Sequence, residues 1–145
     1  MTSADRDHLD LLVQDDPDPH FRTAVMKSLV EYNGEQASPE NHRPLAVFGR
    51  LAGETVGGAI GYTHWSWLFV SHLWVREDRR GSGLGRVLLE RIEQEARSRG
   101  AEAAHLDTYD FQALPFYLRL NYEEFGQLPD YPRGHSRHFL WKRLS

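Results

Sequence analysis

Three observations predict an α/β chain of the α+β kind. Apolar residues recur at spacings of three and four over residues 83–99, which is helical periodicity. Strand-like runs rich in Val, Leu, Phe and Trp fill residues 45–76 and are broken by Ala52-Gly53. A glycine-rich junction, Gly81-Ser82-Gly83-Leu84-Gly85, carries the last of those runs into the best helix. At 145 residues the chain is expected to form one domain spanning 1–145.

The elements follow in order. His8 to Gln14 alternates weakly and is expected to form a first strand. Asp18 to Tyr32 carries Phe21, Val25, Leu29 and Tyr32 on one helical stripe. Asp18 is placed to cap that helix, Pro19 to fill its first position and Asn33-Gly34 to end it. Leu45–Leu51 and Glu54–Trp65 read as a hairpin about Ala52-Gly53, and Trp67–Arg76 as the fourth strand. Gly57, Gly58 and Gly61 weaken the hairpin's second arm and imply a bulge or a close approach by another backbone or a ligand. Over residues 83–99, Leu84, Val87, Leu88, Ile92 and Ala96 form the apolar stripe. Glu90, Arg91, Glu93, Gln94 and Arg97 form the wet face, and Gly100 closes the helix. Ala103–Thr108 is a fifth strand. A short helix near Gln112–Leu120 tolerates Pro115 only in its first turn. Tyr122–Gln127 and His138–Leu144 are the last two strands.

Composition removes several classes of function. With 40% hydrophobic and 12% aromatic residues, the chain can pack a core, so disorder is not its main state. A net charge of −4 argues against wrapping nucleic acid. The absence of cysteine excludes disulfide scaffolds, cysteine-ligated metals and a cysteine nucleophile. No metal is expected. No apolar run approaches the ~20 residues of a membrane helix. The N-terminal Met-Thr-Ser-Ala-Asp-Arg-Asp does not read as a signal peptide, so a cytoplasmic location is expected.

The glycine junction carries the chemistry. A helix N-terminus presents unpaired N–H groups and partial positive charge, where acidic residues usually sit. Here Arg79, Arg80 and Arg86 crowd it. An anion would complete that arrangement, with Gly81, Gly83 and Gly85 letting backbone amides converge on it. The spacing is neither Gly-x-x-x-x-Gly-Lys-Ser/Thr nor Gly-x-Gly-x-x-Gly.

Two segments give the sequence a family resemblance. Arg80-Gly81-Ser82-Gly83-Leu84-Gly85 resembles the Arg/Gln-x-x-Gly-x-Gly/Ala signature of the GNAT N-acetyltransferases. Phe111 to Glu123, with Ala113, Tyr117 and Tyr122, is similar to that family's Ala-x-x-x-Tyr-x-x-x-Gly-Phe/Tyr segment. The resemblance implies a mixed, mostly antiparallel sheet of about seven strands flanked by helices and splayed between strands 4 and 5, with acetyl-CoA in the opening. It implies backbone pairing of Leu73, Trp74 and Val75 with the pantetheine arm, and pyrophosphate held by Arg80, Gly81, Ser82, Gly83, Leu84, Gly85 and Arg86. The Val75 amide would meet the thioester oxygen, and Tyr117 would protonate the departing thiolate. Asn121 stands where the family has Gly, and a left-handed cap remains open to it. Asp110 stands where many members have Asn. It can cap the short helix, and it brings a charge toward the cosubstrate.

The activity implied is direct acetyl transfer from acetyl-CoA to a primary amine in a ternary complex. The alternative is a non-catalytic acyl-CoA-binding sensor with the same fold. The base is left open. Ideal alternation puts Phe69, Ser71 and Leu73 on the face of Val75, with His72 and Trp74 opposite, unless a bulge intervenes. His64, His135 and a water chain also stay open. The acceptor, a small-molecule or peptide amine, is expected near Tyr32, Trp65, Trp67, Ser71, Tyr131 and His135. The acidic N-terminal segment favours a cationic one. A homodimer is compatible with the sequence.

Overall fold

The structure, a computed structural model, describes Thr2 and residues 8–144. It divides into two compact units, residues 1–40 and 41–145.

The first unit holds helix α1, Pro19–Gln36. Asp18 caps it by accepting the His20 amide at 2.8 Å, and Pro19 opens the first turn, as expected. The helix does not stop at Asn33-Gly34. It runs to Gln36, where the Ala37 amide reaches Asn33 O at 2.9 Å. The strand expected over His8–Gln14 does not form. Its apolar residues Leu11, Leu12 and Val13 are consecutive rather than alternating, so no single strand face gathers them. The sheet therefore has six strands rather than about seven.

The second unit carries that sheet. Its elements are β1 (Arg43–Leu51), β2 (Glu54–His64), β3 (Trp67–Val75), a 3₁₀ turn (Glu77–Arg79), α2 (Leu84–Ser98), β4 (Ala103–Tyr109), α3 (Leu114–Arg119), β5 (Glu123–Pro129) and β6 (Ser136–Arg143). The strand order is β1-β2-β3-β4-β6-β5, antiparallel everywhere except between β3 and β4. Ala52 and Gly53, with φ of 51° and 82°, make the expected hairpin turn.

One irregularity sets the geometry of β3. Gly61 pairs with Val70 and Ile60 pairs with His72, so Ser71 is an extra residue bulged out of the β2–β3 ladder. A Cβ on Gly61 would lie 1.9 Å from the Phe69 carbonyl oxygen, so only glycine fits there. The bulge resets the alternation. Leu68 and Val70 upstream face the same core as Leu73 and Val75 downstream. Ideal alternation puts Phe69 on the face of Val75, and the bulge overturns that. The Phe69 ring lies against Tyr62 and His105 on the opposite face.

The core lies between the sheet and helices α2 and α3. Leu88, Leu89, Ile92 and Ala96 of α2 are buried against Leu68, Val70, Leu106 and Leu140. The buried stripe is rotated from the predicted one: Val87 is exposed, Leu89 is buried, and Glu93 lies inside. Glu93 is accommodated because Lys142 Nζ and the Tyr122 hydroxyl each reach its carboxylate at 2.8 Å. Helix α2 ends as expected with Gly100 at φ 92°, and α3 ends with Asn121 in the left-handed region at φ 72°. Among the described residues no helix is long and apolar enough to cross a membrane.

Candidate active site

Parallel strands β3 and β4 pair only from Trp67↔Ala103 to Val70↔Leu106. Beyond that point each holds its other neighbour. Residues 72–75 stay with β2, and 107–109 stay with β6. The gap becomes a slot of about 810 Å³ through the sheet. The Arg76 amide donates to Val56 O at 2.8 Å. Amides alternate in direction along an antiparallel strand, so those of Val75 and Leu73 turn away from β2 and into the slot.

The glycine junction closes one side of the slot. Gly81 and Gly83 have φ of 76° and 89°. These positive values turn the chain sharply from the 3₁₀ segment into α2. No side chain caps α2. The Val87 amide takes Gly83 O at 3.1 Å, so the amides of Leu84, Gly85 and Arg86 stand ahead of the helical ladder. Arg79, Arg80 and Arg86 line the slot here, together with Arg119 from α3. The excess charge at the turn is partly offset. Arg76 binds Asp78 at 2.6 Å and Glu54 at 3.2 Å, and Arg86 binds Glu90 at 2.8 Å. The bond to Asp78 raises the Arg76 pKa most, and the bond to Glu90 raises that of Arg86. Arg80 Nε donates to Val75 O at 3.1 Å, which fixes the turn to the end of β3. This set of forward amides and guanidinium groups fits a phosphate-bearing cosubstrate.

Two of the predicted loop residues face elsewhere. The Leu84 side chain packs against the core, and the Ser82 hydroxyl donates back to Arg79 O. Trp74, Leu73 and Val75 all line the slot.

Tyr117 of α3 lines the slot and is 7% exposed. Burial, helped by the Asp107 carboxylate, pushes its pKa up to about 12, so the phenol stays protonated at neutral pH. Asp107 lines the slot from β4, with its carboxylate held by Arg137 at 2.7 Å.

Asp110 does not serve as the short helix's cap. That position is Ala113, which makes no side-chain cap bond. The Asp110 carboxylate instead accepts from the Ser136 amide at 3.0 Å and meets His135 Nδ1 at 2.8 Å. Burial pulls its pKa upward, but the bonds from His135 and Ser136 outweigh that and hold it below the usual range. Gln112, unassigned in the sequence reading, braces the loop by accepting from Thr108 Oγ1 and the Tyr109 amide, both at 3.1 Å.

Of the six acceptor residues inferred, only Ser71 lines the slot. His135 is set back behind Phe111, whose ring is edge-on to it at 4.9 Å and which does line the slot. Trp65 and Trp67 flank the β2–β3 turn. Trp67 packs at 5.9 Å on Trp141 beside a separate cavity of about 690 Å³. Tyr32 is exposed on α1 in the first unit. Periodicity gave no signal for Asp107, Phe116 and Arg119 of the slot lining, and it placed His72 on the face opposite Val75. The three glycines of β2 were the available pointer to the bulge that presents His72.

An open mixed sheet split between its two parallel strands, with a glycine turn at the split, makes a cleft for a phosphate-bearing cosubstrate. The sequence profile of the Acetyltransferase (GNAT) family matches residues 9–122, and the chain belongs to that family. It is 43% identical over 107 residues to the blasticidin-S acetyltransferase of Streptomyces morookaense, covering 70% of this chain and 79% of the relative. It is 34% identical over 137 residues to an acetyltransferase of Agrobacterium fabrum, covering 94% and 100%. The crystal structure of an acetyltransferase from Bacillus cereus superimposes with a TM-score of 0.83 at 29% identity, covering 91% of this chain and 97% of that one.

Proposed function

We propose that this enzyme transfers the acetyl group of acetyl-CoA directly to the amine of a small, cationic acceptor. The observation that carries the reading is the slot, in which the α2 N-terminus, the Val75 amide and Tyr117 face one opening. The pyrophosphate of acetyl-CoA would rest on the amides ahead of α2, with the thioester running between β3 and β4. The amine nitrogen attacks the carbonyl carbon, and the Val75 N–H bonds the oxyanion that forms. The C–S bond then breaks, its electron pair leaves on sulfur, the Tyr117 hydroxyl supplies a proton to the thiolate, and the proton shed by the acylated nitrogen restores the phenol. The chain has no cysteine to carry the acetyl group, which favours one-step transfer.

The relative named for blasticidin-S supplies the first acceptor to test. The purified chain, acetyl-CoA and blasticidin S should release free thiol and yield an acceptor heavier by one acetyl group. Polyamines, amino acids and aminoglycosides should follow in the same assay. Preference for an anionic acceptor would remove the cationic assignment. Acetyl-CoA binding without turnover on any amine would remove the enzymatic one.

A further inference from the structure

We propose that His72 is the base that takes the proton from the acceptor ammonium, and that the Ser71 hydroxyl selects the tautomer that can do so. The inference rests on the acetyl-transfer reading. It begins at Gly61, where the close approach of Phe69 O requires glycine and leaves Ser71 bulged from the ladder. The Ser71 hydroxyl donates to Ile60 O at 3.0 Å. A hydroxyl has one hydrogen, and this bond uses it. His72 Nδ1 lies 2.9 Å from the same oxygen, so Ser71 Oγ acts as acceptor there and Nδ1 carries the hydrogen. The Nε2 lone pair is left to accept a proton.

His72 lines the slot beside Leu73, Trp74 and Val75, the segment whose amides turn into the gap. It is also exposed, which gives the captured proton a way out to water. In the step proposed, an acceptor N–H bond breaks, its proton moves to Nε2, and its electron pair stays on nitrogen. That pair then forms the C–N bond to the acetyl carbon. As the oxyanion collapses the C–S bond breaks, Tyr117 protonates the thiolate, and the second N–H proton passes from the new amide nitrogen to the Tyr117 phenolate. The β2 residues paired with this stretch of β3, Ile60 and Gly61, carry no titratable group. Across the slot the facing charges are Asp107, already bonded to Arg137, and Arg119 of α3, and Arg79, Arg80 and Arg86 lie toward the glycine turn. Ser71 is a positioning residue.

Long-range ¹H–¹⁵N NMR of the full chain reads the tautomer directly. A neutral His72 protonated on Nδ1 is expected, and one protonated on Nε2 overturns the proposal. With blasticidin S or spermidine as acceptor, His72→Gln should lower kcat/KM at neutral pH by about 100-fold. It should also abolish the acid limb of the pH profile and leave the acetyl-CoA KM unchanged. Ser71→Ala should weaken that limb, and Ser71→Thr, which keeps the hydroxyl, should restore it. An active wild type whose profile survives His72→Gln overturns the base assignment alone. A wild type that acetylates no amine overturns the acetyl-transfer reading and the base role with it.

Discussion

The hydroxyl of Tyr122 donates to Glu93 Oε2 at 2.8 Å inside the core, 29 residues away along the chain. The other carboxylate oxygen meets Lys142 Nζ at 2.8 Å, and that ammonium also donates to Leu120 O at 3.1 Å. One buried carboxylate thus joins α2, the exit of α3 and β6. Both helices that frame the slot are tied to the sheet through it.

Removing one partner should cost more than removing all three. Lys142→Met leaves the Glu93 charge buried and uncompensated, and should destabilise the fold by about 3–5 kcal/mol. Tyr122→Phe should cost about 1–3 kcal/mol, since one acceptor loses its donor. The triple change Glu93→Leu, Lys142→Met, Tyr122→Phe should recover most of that loss. Urea unfolding of the variants measures each. A triple variant as unstable as Lys142→Met would show that the charges themselves are favourable.

This cluster also shows where sequence legibility ends. A glutamate between Ile92 and Gln94 reads as solvent-facing because its partners are far along the chain. Local patterns transfer well: the Asp18 cap, the Ala52-Gly53 turn, the Gly100 stop and the left-handed Asn121 all lie where residue chemistry puts them. The Gly81–Gly85 turn is legible for the same reason, since strand, glycines and helix are contiguous. The face of Phe69 is not legible, because it depends on a bulge created by Gly61 on the neighbouring strand. Nor is the position of Asp110, whose carboxylate is claimed by the Ser136 amide and His135 across the β4–β6 pair rather than by the helix beside it.

Tyr117 should resist ionisation. Burial first, and the Asp107 charge second, push its pKa up to about 12 from the ordinary 10.0. Burial also raises the pKa of Tyr122. Below pH 10 both folded and unfolded states hold these protons, so stability is unaffected. Between about 10 and 12 the unfolded chain releases them and the folded chain does not, so stability falls as pH rises through that window. Tyr117→Phe should flatten part of the fall. At neutral pH it should lower kcat about ten-fold or more while leaving acetyl-CoA affinity nearly unchanged. Difference absorbance of tyrosinate and thiol-release kinetics test the two halves. An unchanged kcat would remove the acid role.

Gly61→Ala tests the bulge. Its new methyl would meet a backbone oxygen, which cannot rotate aside as a side chain can. Overpacking ordinarily costs about 1–3 kcal/mol, and this position should reach the upper end of that range. Gly58→Ala, whose Cβ would meet the Phe48 ring at 3.0 Å, should cost less because the ring can shift. Thermal unfolding ranks the two. If β3 re-registers to relieve the clash, Ser71 and His72 leave their places. Gly61→Ala should then lose turnover in excess of its folded fraction, whereas Gly58→Ala should not.

Gly83→Ala tests the anion turn. Gly83 stands at φ 89° immediately before α2, and nothing lies within 4 Å of where its Cβ would be. The substitution is therefore a backbone perturbation without a steric clash. A left-handed conformation costs an L-residue roughly 1–2 kcal/mol, so the turn should relax and swing the amides of Leu84, Gly85 and Arg86 off their common direction. Acetyl-CoA affinity should fall about ten-fold, the amount that corresponds to ~1.4 kcal/mol. The core beneath, built from Leu88, Leu89 and Ile92, should keep the melting temperature close to that of the wild type. Titration calorimetry with acetyl-CoA, paired with a melt, separates the two effects. An affinity unchanged in a folded variant would mean that the phosphate contacts come from the arginine side chains rather than from the backbone of the turn.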